Sequence, residues 1–451
     1  MRATTAKSND PRDTPVSSTN ATSLADYEIA LQQFQSYRGD PTETLQVTLK
    51  NDPDFVLGHV FMANAMLLMA ERQYVAPAIV HIEAAEALHH KANDRERLLT
   101  KAARYFADGR WDKALDCWDE NLVKHPTDAM VIQSAHLTDF LLGDAINLRD
   151  RVARVLPQWD DSMPGFSYVL GLHAFGLEEC NQYELAEEMG RKALAIEPND
   201  GWSVHAVVHV MEMQKRFEEG AEFLRDRERY WAPDNGFAYH NWWHLALFMI
   251  EQEDFGAALK LYDEKILQAE SDVSYELLDC SALLWRLALQ GVELGDRWQV
   301  LSGLWQKKTP EENAYYPFND FHTITALVGA GDFDTAFGIL EALEKASTLS
   351  RSGALANEIG VHASQAIIAF AREQYDEVIS LLRPLRSVAN RFGGSHAQRD
   401  ILSLTLFEAA VRGGDLNYAR ALLNERHAHK PNSPFGNRLH NKLTKRAKKA
   451  A

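Results

Sequence analysis

Four histidines and a glutamate gather in one short stretch of the chain. His205 and His209 form a His-x-x-x-His pair with Glu212 three residues on, and His240 and His244 form a second pair about one repeat later. On a helix, residues i and i+4 share a face, so each pair sets two imidazoles side by side, and Glu212 joins the first stripe. Three chemistries suit such a set. Imidazole nitrogens are donors for Zn, Fe, Ni and Cu, so His205, His209, Glu212 and His240 could hold a divalent transition metal as cofactor. An imidazole oriented by a carboxylate also carries protons near neutral pH, which makes the same four residues candidate catalytic groups. The third chemistry is ligand binding by flat faces and hydrogen-bond donors, for which Tyr168, His173, Trp202, Tyr239, Trp243 and His244 are the candidates. The metalloprotease pattern His-Glu-x-x-His is absent, because Ala206 stands where its Glu would be. The bland alternative to all three is a buried hydrogen-bonded network that only fixes the packing.

The elements that must position these residues are repeated. A polar or Gly pair, often an aromatic, and a small residue three positions later recur at Trp111/Ala114, Tyr183/Ala186, Phe217/Gly220, Phe255/Ala258 and Phe333/Ala336. Weaker copies sit at Tyr74, Ala145, Trp298, Tyr375 and Leu416. Trp111 to Ala145 and Tyr183 to Phe217 are both 34 residues, while Phe255 to Trp298 is 43. The period and its chemistry resemble the tetratricopeptide repeat, a helix-turn-helix unit. Tyr183, Ala186, Ala193 and Pro198 are its best copy, and Trp111, Ala114, Trp118 and Pro126 repeat that spacing. Trp242, Leu245 and Ala246 match the first helix of the unit, so packing between repeats accounts for Trp242. Runs of alternating apolar residues with hairpin turns are absent. The expected fold is an all-α superhelix of about ten helix pairs over residues 25–430.

The repeat register aims the histidines. In tetratricopeptide repeats the first helix lines a concave groove, with inward positions about fifteen, twelve, eight and five residues before the turn aromatic. Counted back from Phe217, His205, His209 and Glu212 fall at twelve, eight and five. Counted back from Phe255, His240 falls at fifteen and Trp243 at twelve, whereas His244, at eleven, is just off the stripe. His322 stands at eleven before Phe333, and His173 at ten before Tyr183. His205, His209, Glu212 and His240 should therefore converge, with His244 or His173 close by.

A closer resemblance rests on the run from Asp160 through Pro164, Gly165, Tyr168, Gly171, His173 and Gly176 to Glu179, together with the His205 and His240 segments. It looks like the tetratricopeptide repeat protein 38 family, most specifically over Asp160 to Phe255. The resemblance implies an intracellular all-helical repeat protein. It brings little biochemistry, because a fold does not settle a function.

Composition bounds the rest. The chain has 451 residues, 46% hydrophobic, with a formal net charge of -17. Phosphate backbones repel such a chain, so nucleic acid is not the expected partner. Cys117, Cys180 and Cys280 are too few and too far apart for a disulfide framework, which suits a reducing cytoplasm. No apolar run is long enough to span a bilayer. Residues 1–24, rich in Ser, Thr, Asn, Asp and Pro, read as a disordered tail, and residues 431–451 as a basic one. Peptide-binding repeats usually line their groove with Asn, Lys and Arg. A His, Glu and Trp lining favours a pocket for a compact ligand or metal, with enzymatic use of that pocket open. The alternative is an adaptor that binds a peptide or protein in its groove.

Overall fold

The computed structural model describes residues 8–267, 270–308, 310–346, 348, 350–429 and 433–450. The chain runs through α1 (Ala21–Ser36), α2 (Pro41–Asn51), α3 (Val56–Leu67), α4 (Val75–Ala87), α5 (Asp94–Ala107), α6 (Trp111–Lys124), α7 (Ala129–Leu141) and α8 (Ala145–Val155). It continues through α9 (Phe166–Glu179), α10 (Tyr183–Ile196), α11 (Gly201–Met213), α12 (Phe217–Trp231), α13 (Ala238–Glu251), α14 (Phe255–Leu261), α15 (Ser274–Leu289) and α16 (Arg297–Trp305). The last helices are α17 (Pro317–Ala330), α18 (Phe333–Glu344), α19 (Arg351–Leu355), α20 (Val361–Ala371), α21 (Tyr375–Leu385), α22 (His396–Gly413), α23 (Leu416–His429) and α24 (Pro434–Ala450).

The turn signature has a structural meaning. Trp111, Tyr183, Phe217, Phe255 and Phe333 are each the first residue of the second helix in a pair, and so are the weaker copies Ala145, Tyr375 and Leu416. Two positions before each of them the backbone turns left-handed, at Gly109, Gly143, Asn181, Lys215, Glu253, Gly331, Glu373 and Gly414. In most of these turns the next amide bonds back five residues. Asp144 N–H donates to Asp139 O at 2.9 Å, Arg216 to Met211 at 2.8 Å and Asp332 to Leu327 at 2.9 Å. This closure satisfies the carbonyls that the end of the first helix leaves open. The small residue of the signature lets the paired helices approach. Ala114, Ala186, Ala258 and Ala336 are fully buried, and a Cβ on Gly220 would come within 2.5 Å of the Phe248 ring.

Helix makes up 76% of the chain, and the fold is an all-α helical repeat of the tetratricopeptide type. Among the described residues no strand lies between Tyr74 and Leu416; one short antiparallel ladder pairs Ser8–Asn9 with Pro15–Val16. No described helix is long and apolar enough to cross a membrane. The repeat pattern reads as one array, but the contacts group into two compact units. The first is Met1–Val207 with Glu228–Ala238, and the second is Val208–Arg227 with Tyr239–Ala451. Large buried rings centre each one: Tyr27, Phe61, Trp111 and Trp118 in the first, Trp243, Phe248, Tyr262 and Tyr316 in the second.

Of the two expected tails, residues 1–7, 431–432 and 451 lie outside the described residues, as does residue 430. Residues 8–24 are ordered. The Arg12 side chain is buried and bonds Asp10 at 2.9 Å and Glu28 at 2.6 Å, while Pro15 O accepts from Asn93 and Arg95. Charge pairs and backbone acceptors anchor this segment. At the other end, α24 is amphipathic. Phe435, Leu439 and Leu443, spaced i, i+4, i+8, are buried, and Lys442 pairs with Glu408.

Candidate functional site

The second unit holds a buried cluster of three imidazoles. His209 comes from α11, and His240 and His244 from α13. Each brings a ring nitrogen to within 4.8 Å of the others. The His209 and His244 ring centroids are 4.4 Å apart with their planes at 62°; those of His240 and His244 are 4.9 Å apart at 90°. Exposure is 0% for His209, 0% for His244 and 7% for His240, so bulk water is excluded.

Carboxylates orient two of the three rings. His240 Nδ1 donates to Asp279 Oδ2 at 2.5 Å, and His244 Nδ1 donates to Glu212 Oε2 at 3.3 Å. An ionised carboxylate only accepts, so both protons sit on Nδ1 and each Nε2 carries a lone pair. Trp243 stacks on the His240 ring at 5.3 Å and 11°, and the buried Arg286 guanidinium lies 5.3 Å from the Trp243 centroid. Arg286 is fixed by donation to the Ala397 and Ala282 carbonyls. Burial holds the His244 imidazole well below its usual pKa, with His209, His240 and Arg286 reinforcing it. Burial also lowers the Arg286 pKa, against the pull of Asp400, Glu212 and Asp279. His322, on α17, is a separate buried imidazole whose Nδ1 donates to Phe318 O at 2.7 Å; burial pushes its pKa down to about 3.

Of the other expected residues, His205, Trp202, His173 and Tyr168 belong to the first unit and Tyr239 to the second. His205 is one turn before His209 on α11. Its surroundings, however, are aromatic. Phe175 stacks on it at 5.2 Å, Trp202 lies at 5.1 Å and Phe237 meets it edge-on at 5.1 Å. Trp202 belongs to that packed group and also stacks on Tyr37 at 5.9 Å. His173 faces the charges of Arg149 and Asp150 on α8. Tyr168 lines a small separate cavity with Gln32, Gln33, Arg38 and Glu197. Tyr239 is part-buried beside His240, and Lys265 covers the Trp242 ring at 4.8 Å.

Register arithmetic placed His244 just off the stripe, yet it is the ring that touches both His209 and His240. Asp279, on α15, is not among the residues that the sequence singles out. A signal existed: Asp279 and Arg286 are seven apart, on one stripe of the apolar helix α15, where an unbalanced carboxylate is costly.

No family model matches the chain. Solved structures similar to it include the human IFIT1 dimer with m7Gppp-AAAA, at 13% identity and TM-score 0.42 over 94% of this chain and 99% of that one. Yeast Tom70 matches at 13% and 0.40 over 91% of each chain. The APC/C hetero-tetramer Cut9–Hcn1 matches at 13% and 0.43 over 96% of this chain and 78% of that one. At this identity the likeness is one of fold alone.

Proposed function

We propose that this helical-repeat protein holds a divalent transition metal ion inside its second unit, with His209, His240 and His244 as ligands. The observation that carries the reading is the pair of Nδ1–carboxylate bonds. Metal-bound imidazoles characteristically donate their other ring N–H to a carboxylate or carbonyl, which fixes the tautomer and makes the ligand more basic. Asp279 and Glu212 do this for His240 and His244. Charge supports the same reading. Glu212, Glu251, Asp279 and Asp400 are set against Arg286 and Arg426, four carboxylates against two guanidiniums, so these groups carry an excess of two negative charges. A divalent ion bound by neutral imidazoles balances it. Imidazole donors suit Zn, Fe, Ni or Cu.

The near-complete burial favours a closed, structural ion over an open catalytic one, because a catalytic ion keeps a position for water or substrate. The pocket reading thus narrows from a ligand-binding cleft to a metal site, and enzymatic turnover is not required. The Asp160–Glu179 run supports placing the chain with the tetratricopeptide repeat protein 38 family. Metal analysis after chelator-free purification, and again after stripping and reloading, tests the site. About one tightly held ion per chain is expected in the native protein and none in His240→Asn. Failure of the native protein to retain or take up any ion would leave the cluster as a proton-sharing hydrogen-bond network.

A further inference from the structure

A second pair of imidazoles lies in the first unit. His59 is in the first turn of α3 and His81 is in the middle of α4, its antiparallel partner. Their Nδ1 atoms are 3.1 Å apart, with ring planes at 40°. On the far side of its ring, His59 Nε2 donates to Pro53 O at 3.0 Å. His59 is buried, whereas His81 is part-exposed.

We propose that His59 and His81 form a solvent-reachable, exchangeable site for a divalent first-row transition metal ion, with the two Nδ1 atoms as its protein ligands and water completing the sphere. Three observations support it. First, an ion about 2.0–2.1 Å from each of two nitrogens needs them about 2.9–3.4 Å apart, according to whether the angle at the metal is square or tetrahedral. The observed separation falls inside that window without movement of either helix. Second, the Nε2–H of His59 is committed to a backbone carbonyl. That bond fixes the tautomer with the lone pair on Nδ1, which is the orientation a metal ligand requires. Third, the electrostatic pull on His59 comes from Asp52 and Asp54, two negative charges that attract a cation.

Proton bookkeeping is simple. In the free pair His59 Nδ1 accepts, so His81 Nδ1 carries the proton between them. Metal binding moves that proton to His81 Nε2 through solvent, which the exposure of His81 permits, and no net proton is released. Of the common ions, Cu(II) binds such a two-imidazole site most strongly.

The test uses the full chain, stripped of metal and titrated with Cu(II), Ni(II) or Zn(II) alone. One exchangeable ion is expected beyond any ion held in the second unit. His81→Gln should weaken its binding at least tenfold without lowering the helical content. His240→Asn should leave this exchangeable ion in place, which separates the two sites. In a His240→Asn background, which removes the second-unit ion, the Cu(II) EPR spectrum should show two imidazole couplings with His81 present and one in His81→Gln, a readout that needs no assumption about stability. Unchanged affinity and spectrum in His81→Gln would overturn the proposal. So would a native chain that takes up no exchangeable ion.

Discussion

Helix α11 carries two histidines one turn apart, and their surroundings could hardly differ more. His205 sits among Phe175, Trp202 and Phe237, a group of the first unit made almost wholly of rings. His209 sits beside His244, whose Nδ1 is held by Glu212, in a group of the second unit made of imidazoles and carboxylates. Flat apolar neighbours treat an imidazole as a small aromatic ring and penalise its charge. Carboxylates fix a tautomer and invite a cation to share the site. What separates a packing histidine from a ligand is thus less its own burial than what lies on its second nitrogen.

The largest effect that could break this contrast is loss of the metal. His209→Ala or His240→Asn should lower metal affinity by more than about a hundredfold, since each removes a ligand. His205→Phe keeps a flat ring in the slot formed by Phe175 and Phe237, and should cost less than about tenfold. Isothermal titration with the stripped protein reads both. Equal losses from His205 and His209 would mean that the aromatic and polar surroundings do not distinguish the two residues.

A smaller change tests the carboxylates. Asp279→Asn retains the shape but accepts more weakly and supplies no charge. Loss of such an outer partner typically weakens metal binding about 10–100-fold. The helical content should be unaffected. An Asp279→Asn protein that binds metal as the parent does would mean that the carboxylate only packs.

Buried imidazoles in each unit allow a pH comparison. Burial pushes the pKa of His136, in the first unit, and of His322, in the second, down to about 3. Both are neutral when folded and titrate near their usual value when unfolded, so the unfolded chain binds the extra protons in acid. Their contribution is therefore complete above about pH 6.5 and is lost as pH falls towards 3, at about 1.4 kcal/mol per pH unit for each residue. Denaturant unfolding at pH 7 and pH 5 should show the loss, and His136→Phe and His322→Phe should each flatten it. An NMR titration showing either ring protonated at pH 6 would contradict the burial argument.

The sequence made the fold legible because the repeat's closing turn is a local event. A turn aromatic, a small residue three positions on and a left-handed residue two positions before are all readable from a window of a few residues. Trp111, Tyr183, Phe217, Phe255 and Phe333 therefore marked helix starts correctly. The site was legible only in part. The i, i+4 spacing located His209 and His240, but Asp279 reaches His240 from 39 residues away, and no local rule pairs them. The first-unit pair was missed for the same reason, as His59 and His81 are 22 residues apart on two helices. The partners that Arg12 finds, Asp10 and Glu28, are likewise beyond what composition can count.

The smallest effect contrasts how the two units close their turns. The first uses Gly109, Gly143 and Asn181 at the left-handed position, whereas the second places Lys215, Glu253 and Glu373 there beside Gly331 and Gly414. A residue with a Cβ pays about 1 kcal/mol or more for that conformation, and Gly and Asn pay least. Lys215 and Glu253 have side-chain partners that a substitution would disturb, so Glu373 and Gly331 are the cleaner pair. Glu373, at φ 61°, should accept glycine with a gain of about 0.5–1 kcal/mol, partly offset by the greater freedom of glycine in the unfolded chain. Gly331, at φ 87° with nothing within 4 Å of an added Cβ, isolates the backbone term, because no clash contributes. Gly331→Ala should therefore cost about 1 kcal/mol, and Gly331→Asn less than that. Urea unfolding of the three variants decides it. The order Glu373→Gly above parent above Gly331→Asn above Gly331→Ala is expected, and a neutral Gly331→Ala would show that the turn relaxes to a right-handed form without disturbing the start of α18.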